Sequence, residues 1–532
     1  MHHPQSVIAR ALLVGCLLVL LTAQIRADTA ALPAAIAAEV PHNSGMAQVY
    51  AARAHAPIWM GDTPRHRLRI AAFLDALSKA GDHALPVQDY QADTLALAVA
   101  QANDHAARAT VELALSKAFM AYAQQVQSGI LDPEKAHREI HRTAPVRDPA
   151  ATLAAFATSS GAAFLAALPP QTAQYAHLMA ELERLSLVMA NRGWGADVTG
   201  PTLRIGDASP GVAALRARLG AMGYGRPNGL TAFDAVLRSN VLRFQRDHGL
   251  EADGIVGPDT MAALNVSAFD RAGQVAVALE RERWMNFPLG ARHVRVNIAD
   301  FHARLVENNR VTFETRTVVG KNRSTHRTPE FSDVMEFMVI NPTWHVPHSI
   351  ATREYLPKMQ QDPNAAGQLD LYDRNGRRVA RAAVNFASYT ARSFPYRLKQ
   401  PPGDRNALGL VKFMFPNRFN VYLHDTPQKA LFDRAGRAFS HGCVRLADPF
   451  GFAHALLAGE VDDPHATFAE KLATGRETTV RLATPVPVHL TYRTVIARSR
   501  APAQFHRDVY GRDAAIFAAL VKAGVSLRVG GG

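Results

Sequence analysis

A cysteine and two histidines lie within one short segment of the chain, NVYLHDTPQKALFDRAGRAFSHGCVRL, residues 420–446. A cysteine nucleophile needs a base or a cationic partner to supply thiolate, and it needs backbone donors where an oxyanion develops. His424 precedes Cys443 by 19 residues, so the two side chains can meet only if the chain between them folds back. The residue types predict covalent chemistry at a thiol.

The tetrapeptide Ser440-His441-Gly442-Cys443 can supply the backbone donors that such chemistry requires. Gly442 lets the chain turn tightly and leaves N–H groups unobstructed beside the thiol, because glycine has no Cβ. We therefore predict a tight turn whose N–H groups point towards the position of the developing charge.

Two short extended segments must position these residues, one before the connecting loop and one after the glycine turn. Alternate side chains of a strand share a face, so Tyr422 lies beside His424, and Cys443 lies beside Arg445. One surface can then carry all four side chains.

Each of these residues also has an interpretation without chemistry. His424, His441 and Cys443 could bind zinc, but a structural zinc site needs four ligands at short paired spacings, and the segment has no second cysteine. His441 could serve only as a structural hydrogen-bonding residue, Arg445 could be a surface arginine, and Tyr422 could be a core aromatic. A lone cysteine is usually a small buried hydrophobe, but here its neighbours favour reactivity.

The composition is that of a globular protein. The chain has 532 residues, of which 48% are hydrophobic and 20% charged, proportions that exclude a disordered or collagen-like chain. No apolar run after residue 25 approaches the roughly 20 residues of a membrane span, which excludes a polytopic membrane protein. Lys and Arg exceed Asp and Glu by 13 (59 against 46), and this surplus favours an acidic partner: nucleic acid, anionic lipid or a carboxylate-bearing polymer.

The first 27 residues are typical of a secretory signal. An apolar stretch of 13 residues, 11–23, follows Arg10, and small residues offer a cleavage point near Ala27. Uncleaved anchoring is the alternative; a lipoprotein cleavage at Cys16 is disfavoured because most of the apolar run lies after it. Cleavage would remove Cys16 and leave Cys443 as the only cysteine, so the exported domains must rely on their hydrophobic cores.

Changes in the hydrophobic period divide the rest of the chain into units. Helical spacing predominates early, whereas alternation with a period of two begins near residue 290. We predict an α+β multidomain protein with a helical scaffold domain (45–200), a small three-helix domain (206–266), a β-rich domain (286–495) with an insertion at 345–412, and a C-terminal extension (496–532). The insertion, rich in Pro, Gly and polar residues, is a candidate lid or substrate cap.

Several segments resemble known families. His424, fifteen residues and then SHGCVRL at 440–446 resemble the signature of the YkuD-type L,D-transpeptidase catalytic domain. GDASPGVAALRARLGAMGY and FDAVLRSNVLRFQRDHGLEADGIVGPDTMAALN resemble the three-helix peptidoglycan-binding domain, which is common beside cell-wall enzymes. VVGKNRSTHRTPEFSD, NPTWHVPHSI, QPPGDRNALGLVKFMFPN and PVPVHLTYRT are similar to the large multidomain L,D-transpeptidases of Gram-negative envelopes.

The resemblance implies a reaction and assigns roles in it. Cys443 attacks the carbonyl between the third and fourth residues of a peptidoglycan stem peptide, D-alanine leaves, and an amine resolves the thioacyl-enzyme into a 3→3 cross-link. His424 is the base, and the carbonyl of Asp425 orients its imidazole. Backbone N–H groups around His441, Gly442 and Cys443 form the oxyanion hole within the Ser440 turn.

The resemblance also implies substrate-side residues and partners. Arg445, Tyr422 and Trp344 are expected to contact substrate, with a core position as the alternative for the two aromatics. The expected partners are stem peptides as donor and amine acceptor, other cell-wall synthases and carbapenem-type covalent inhibitors, in the periplasm. We expect no metal, no cofactor and no nucleic acid. A hydrolase on the same fold and an inactive wall-binding scaffold are the alternatives.

Overall fold

The computed structural model describes residues 31–226 and 228–527. The predicted signal, residues 1–27, lies outside the described residues. None of the helices in these two stretches combines the length and the hydropathy that a membrane span requires.

The N-terminal region is helical. Residues 31–39 are helical, and the further α-helices are Gly45–Ala51, Pro64–Ser78, Ala92–Gln101, His105–Ser128, Pro133–Ala136, Pro149–Thr158, Ala162–Ala167 and Ala173–Ala190, with 3-10 turns at Ala80–His83 and Val87–Tyr90. The longest helix begins where the side chain of Asp104 accepts the N–H of Ala107, and it ends at Gly129, whose φ of 96° suits glycine. The centre of this region is Trp59, with aromatic rings packed around it.

Three helices form the second unit, as predicted. They are Pro210–Ala221, Ala235–Asp247 and Pro258–Leu264, and a fourth helix, Ala268–Trp284, follows. Their apolar faces share one core with the helix 173–190, so that helix packs here rather than in the core around Trp59. The helix 268–284 is buried over most of its length and connects this core to the β-rich domain.

A nine-stranded sheet forms the β-rich domain. Its strands are β1 Arg292–Asn297, β2 His302–Glu307, β3 Arg310–Gly320, β4 Phe331–Ile340, β9 Val411–Met414, β10 Leu423–His424, β11 Ala438–Ser440, β12 Val444–Leu446 and β13 Thr478–Thr491. The order is β11-β3-β12-β10-β9-β4-β13-β1-β2, and β2 also pairs with β3, which closes the sheet on itself. Helices Pro449–Leu457 and Pro464–Ala473 and the 3-10 turn Lys429–Asp433 accompany it.

The insertion between β4 and β9 is a small subdomain with its own core, which we call the cap. It contains β5 Trp344–His345, β6 Asp370–Tyr372, β7 Arg378–Val379 and β8 Arg397–Gln400, the helical turns His348–Ile350, Ala351–Tyr355 (π) and Leu356–Gln361, and the 3-10 turns Arg381–Ala383 and Phe386–Ser388. Its four strands pair in the order β5-β8-β6-β7. A separate hydrophobic cluster therefore stabilises the cap.

The C-terminal residues return to the helical core. A hairpin of β14 Val495–Arg498 and β15 Ala501–Phe505 is followed by the helix Arg512–Lys522. Apolar side chains of the hairpin and the helix complete the core of the second unit. The architecture confirms the predicted α+β multidomain class: a helical N-terminal region, a helical unit and a β-rich domain.

Candidate active site

Two short parallel strands carry the candidate catalytic residues. In the register of β10 with β12, Leu423 lies opposite Val444 and His424 lies opposite Arg445. Leu423 and Val444 are fully buried in the sheet core, so His424 and Arg445 point to the other face, as the alternation predicts. One register step back, the carbonyl of Tyr422 accepts the N–H of Val444 at 3.1 Å, which brings Tyr422 alongside Cys443.

Ser440 closes the turn that leads to the cysteine. Its hydroxyl accepts the N–H of Gly442 at 3.1 Å and donates to the carbonyl of Cys443 at 2.5 Å. The carbonyl of Gly442 accepts the Thr328 hydroxyl at 2.8 Å, and Gly442 itself has a φ of 126°, which a side chain would strain. The turn is thus fixed on both sides of Gly442.

This arrangement alters the predicted oxyanion hole. We predicted donors from His441, Gly442 and Cys443, but the N–H of Gly442 is already bonded to Ser440. Within residues 31–226 and 228–527, no acceptor takes the N–H of His441 or that of Cys443. Two of the three predicted donors therefore remain for an oxyanion.

The thiol of Cys443 is half-buried at the end of this turn. It donates to the carbonyl of Asn420 at 3.5 Å, and Asn420 adopts a left-handed φ of 53°. The side chain of Asn417 fixes the loop before it through bonds to the backbone of Phe415, Phe419 and Val421. Neither asparagine is recognisable from the residue pattern, because their contribution depends on the conformation of this loop.

His424 is buried, and its Nδ1 donates to the carbonyl of Asp425, the contact that the family resemblance implied. Asp425 is fixed in turn: its carboxylate accepts Lys429 Nζ at 2.6 Å and the N–H of Leu410 at 2.9 Å. A Cβ at Gly409 would lie 2.2 Å from this carboxylate, so only glycine fits there. The hydrogen bond on Nδ1 fixes the tautomer and leaves Nε2 as the nitrogen that can accept a proton.

The surroundings favour the neutral forms of both groups. Burial, and secondarily the Arg445 guanidinium, lowers the pKa of His424 to about 3. Desolvation raises the pKa of the Cys443 thiol to about 11, although the N–H and hydroxyl of Tyr422 and the charge of Arg445 act in the opposite direction. No hydrogen bond among the described residues joins this thiol to the His424 imidazole. In the free site both groups are therefore neutral, a protonated thiol and an unprotonated imidazole on the same face of the paired strands.

Arg445 is a partly buried cation beside the thiol. One Nη donates to the side chain of Gln428 at 2.6 Å, its Nε has no partner, and no carboxylate in the described part of the chain forms an ion pair with it. Burial lowers the pKa of Arg445, and the neighbouring Cys443 raises it. A desolvated guanidinium without a carboxylate partner is well suited to bind a carboxylate of a ligand.

The two aromatic candidates differ in position. The ring of Tyr422 lies 5.6 Å from that of His424, and burial together with Cys443 raises the pKa of its hydroxyl. Trp344 is only 9% exposed and packs in the cap core, 6.2 Å from the ring of Tyr355. This packing favours the core interpretation of Trp344, and its contact with substrate stays a prediction.

The side chain of His441 contacts the cap. Its Nε2 lies 2.6 Å from the carboxylate of Glu354, and its ring lies 4.6 Å from that of His326. Sequence reasoning assigned no role to Glu354 or His326, although His326 falls within a segment that carried the resemblance. Only the folded cap brings Glu354, 87 residues away, to His441.

The pKa values predict how fast the thiol reacts with an alkylating agent. Because the pKa of Cys443 is about 11 and that of His424 about 3, alkylation by iodoacetamide in the presence of EDTA should rise about tenfold per pH unit from pH 7 to 10. Mass spectrometry of the protein over time measures this rate, and Cys443→Ala gives the background from Cys16. A rate independent of pH between 6 and 9 would instead indicate a preformed thiolate–imidazolium pair.

Three segments of the chain match known domain families. Residues 44–182 match a scaffold domain, residues 208–264 match a "Putative peptidoglycan binding domain", and residues 291–486 match the L,D-transpeptidase catalytic domain of the YkuD type. The chain therefore carries a YkuD L,D-transpeptidase catalytic domain together with a peptidoglycan-binding domain.

Two curated proteins are similar to parts of the chain. Over 241 residues it is 32% identical to a "Putative L,D-transpeptidase" of Haemophilus influenzae, a match that covers 44% of this chain and 48% of the relative. The chain thus spans about half the length of that relative. Over 80 residues it is 40% identical to the N-acetylmuramoyl-L-alanine amidase CwlM of Mycobacterium tuberculosis, covering 13% of this chain and 20% of the amidase.

Solved structures add little to these matches. An L,D-transpeptidase from Xylanimonas cellulosilytica is 15% identical, with 55% of this chain and 98% of that chain covered, at a TM-score of 0.17. A carbamoyl enzyme of Ldtfm with avibactam is 11% identical, with 59% and 98% covered, at a TM-score of 0.18. Neither superposition is close enough to support a structural argument.

Proposed function

We propose that this protein is a periplasmic L,D-transpeptidase that forms 3→3 cross-links in peptidoglycan. Its donor is a tetrapeptide stem, and its acceptor is an amine on a neighbouring stem. The single observation that carries the proposal is the parallel pairing of β10 with β12, which presents Tyr422, His424, Cys443 and Arg445 on one face beside the cap. The catalytic and peptidoglycan-binding domains support the substrate class.

The reaction follows from the groups on that face. The sulfur of Cys443 bonds to the donor carbonyl carbon while its proton passes to His424, and the N–H groups of His441 and Cys443 stabilise the oxyanion. The C–N bond to the terminal D-alanine then breaks, and the imidazolium returns the proton to the leaving amine. An acceptor amine then attacks the thioester carbon and gives a proton to His424, the bond from that carbon to sulfur breaks, and the leaving thiolate takes the proton from the imidazolium to restore the thiol. Because the resting thiol is protonated, proton transfer accompanies attack.

Arg445 supplies substrate recognition in this proposal. Stem peptides carry free carboxylates, and Arg445 is a partly buried cation with no carboxylate partner in the described part of the chain. A bidentate guanidinium–carboxylate contact would hold the donor stem next to Cys443. The net positive charge of the whole chain attracts the same anionic polymer.

A hydrolase on the same fold is the second candidate, in which water instead of an amine resolves the thioester. The contact of Glu354 in the cap with His441 in the catalytic turn favours transfer, because a cap that covers the site restricts water. An inactive wall-binding scaffold is less compatible with an intact Ser440-His441-Gly442-Cys443 turn.

Mass analysis of muropeptides separates these candidates. The enzyme is incubated with purified disaccharide-tetrapeptide, and the products are weighed. A dimer that lacks one D-alanine supports the transpeptidase, and tripeptide monomer alone identifies a hydrolase. If the tetrapeptide is unchanged, the scaffold interpretation replaces both. Carbapenems are expected to acylate Cys443, and a protein mass without such an adduct would count against an accessible nucleophile.

We predict that His424→Ala lowers kcat by about 10²–10⁴-fold, the usual contribution of a general base. His293→Ala is the matched control, since His293 is equally buried (4%) on the same sheet and also bonds a backbone carbonyl through Nδ1. Rates of D-alanine release with each purified variant provide the comparison. If His293→Ala falls as far as His424→Ala, the loss reflects a missing buried imidazole rather than a missing base.

A further inference from the structure

Three potential metal ligands meet between the cap and the catalytic turn. They are His326 from the loop between β3 and β4, Glu354 from the π turn of the cap, and His441 from the catalytic turn. One ligand atom of each lies within 4.8 Å of the others. Glu354 Oε1 is 2.6 Å from His441 Nε2 and 3.9 Å from His326 Nε2, so one carboxylate oxygen faces a nitrogen of each ring, and the ring centroids lie 4.6 Å apart.

Two imidazole nitrogens and one carboxylate oxygen form the ligand set of many three-residue zinc sites, in which the fourth position remains open to water. The three side chains are 20–42% exposed, so an ion can reach them from solvent. The ligand atoms of a tetrahedral zinc ion lie about 3.3 Å apart, given bond lengths near 2.0–2.1 Å. To reach that geometry, the Glu354–His441 distance of 2.6 Å must lengthen and the Glu354–His326 distance of 3.9 Å must shorten, each by about 0.6–0.7 Å.

The two histidines belong to segments that are already bonded to each other. The Thr328 hydroxyl donates to the carbonyl of Gly442 and accepts the N–H of Gly320, which joins the loop of His326 to the turn of His441. Glu354, by contrast, belongs to the cap, which has a hydrophobic core of its own. The site thus has two ligands on one fixed frame and a third on a separate subdomain.

We propose that His326, Glu354 and His441 bind one divalent transition cation of the zinc type, and that the bound ion holds the cap against the catalytic turn and lowers turnover. The ion joins the two bodies that must separate when substrate enters and product leaves. His441 lies two residues before Cys443, so the ion also restrains the turn that presents the thiol. The binding stands independently of the enzyme's reaction, whereas the effect on turnover rests on the proposed function.

Zinc binding is tested first, in a Cys443→Ala background that removes the thiol as a ligand. Isothermal titration of the full chain with Zn²⁺ should show one site, and His326→Ala or Glu354→Gln should weaken it at least tenfold. His348→Ala is the control, because His348 is an exposed cap histidine outside the cluster and should leave the affinity unchanged. Cys16 is common to all four proteins and cancels in the comparison.

Turnover is tested second, in the chain with Cys443 intact. Zn²⁺ should inhibit D-alanine release, EDTA should restore it, and Glu354→Gln should reduce the fold-inhibition relative to His348→Ala. Equal zinc affinity in the His326, Glu354 and His348 variants would overturn the site. Zinc binding at the site without inhibition would overturn the proposed effect of the ion on turnover. Absence of D-alanine release in metal-free protein would refute the proposed function and would leave the binding result intact. If His326→Ala fails to fold, Glu354→Gln still tests whether these residues bind zinc, because it alters only a half-exposed carboxylate.

Discussion

Cys443→Ala is expected to abolish D-alanine release from tetrapeptide stems, with a fall in kcat on the order of 10⁴-fold or more, as for other deleted nucleophiles. The physical reason is that, among residues 31–226 and 228–527, no second thiol lies on the candidate catalytic face, and no other side chain there can form a thioester. Liquid chromatography of released D-alanine with purified variant measures the loss.

The same substitution should leave the fold intact. The thiol is half-buried, donates a long hydrogen bond to the carbonyl of Asn420 and contacts the N–H and hydroxyl of Tyr422, all weak sulfur contacts, so its removal should change the free energy of unfolding by about 1 kcal/mol. Urea denaturation compared with the wild type tests this. Continued D-alanine release by a folded variant would place the nucleophile elsewhere, whereas an unfolded variant would give Cys443 a structural role.

The part of the site that lies on regular strands was predictable from sequence. Strand alternation placed Tyr422 with His424, and Cys443 with Arg445, and the parallel register of β10 with β12 gives that common face. Alternation succeeds here because Leu423 and Val444 must both be buried in the same sheet core. The hydrophobic pattern therefore predicts which face of the sheet carries the polar side chains that flank these two residues.

The turn itself was only partly predictable. Gly442 indicated a tight turn with available N–H groups, but the sequence did not show that the Ser440 hydroxyl takes one of them. Such competition depends on local distances of a few tenths of an ångström. Residue types record which donors exist, whereas the folded backbone decides which of them stay free.

Contacts across domains were beyond sequence reasoning. Glu354 reaches His441 only because the cap packs on its own core and covers the turn, and this placement leaves no periodic signal. The same applies to Trp344, whose burial among cap residues depends on strand pairing with Gln400. The helix Ala268–Trp284 shows the limit most clearly, because its arginines and glutamates indicate a solvent-exposed face although nearly all of them are buried.

One of these buried charges, Arg281, belongs to a cluster centred on Glu330, which immediately precedes β4. Its carboxylate accepts Arg281 at 2.6 Å and Arg512 at 3.0 Å, and each of these side chains is at most 6% exposed. Its backbone also bonds the N-terminal region: the Glu330 N–H donates to the carbonyl of Glu139, and its carbonyl accepts the N–H of His141. Glu330 therefore links the helical region, the helix 268–284, the catalytic sheet and the C-terminal helix.

Glu330→Gln is expected to lower the free energy of unfolding by about 3 kcal/mol, the lower end of the range for a broken buried ion pair, because two buried guanidinium groups each lose one of two carboxylates. Arg281 keeps Asp513, and Arg512 keeps Glu139. Arg281 and Arg512 lower the pKa of Glu330 against the effect of burial. An ionised carboxylate with a lowered pKa contributes to the free energy of unfolding at pH values above its ordinary pKa, and this contribution is lost as the pH falls through the lowered pKa. The variant has no such carboxyl, so its free energy of unfolding should fall less between pH 7 and pH 4 than that of the wild type.

Urea denaturation at pH 7 and at pH 4 measures both effects. Asp433→Asn is the matched control, since Asp433 pairs with Arg316 at 3.5 Å on the surface and should cost about 1 kcal/mol or less. If Glu330→Gln lowers the free energy of unfolding no more than the control does, the cluster does not hold the domains together. A large loss would mean that the helix 268–284, the C-terminal helix and the catalytic sheet depend on this cluster, because the severed contacts join all three.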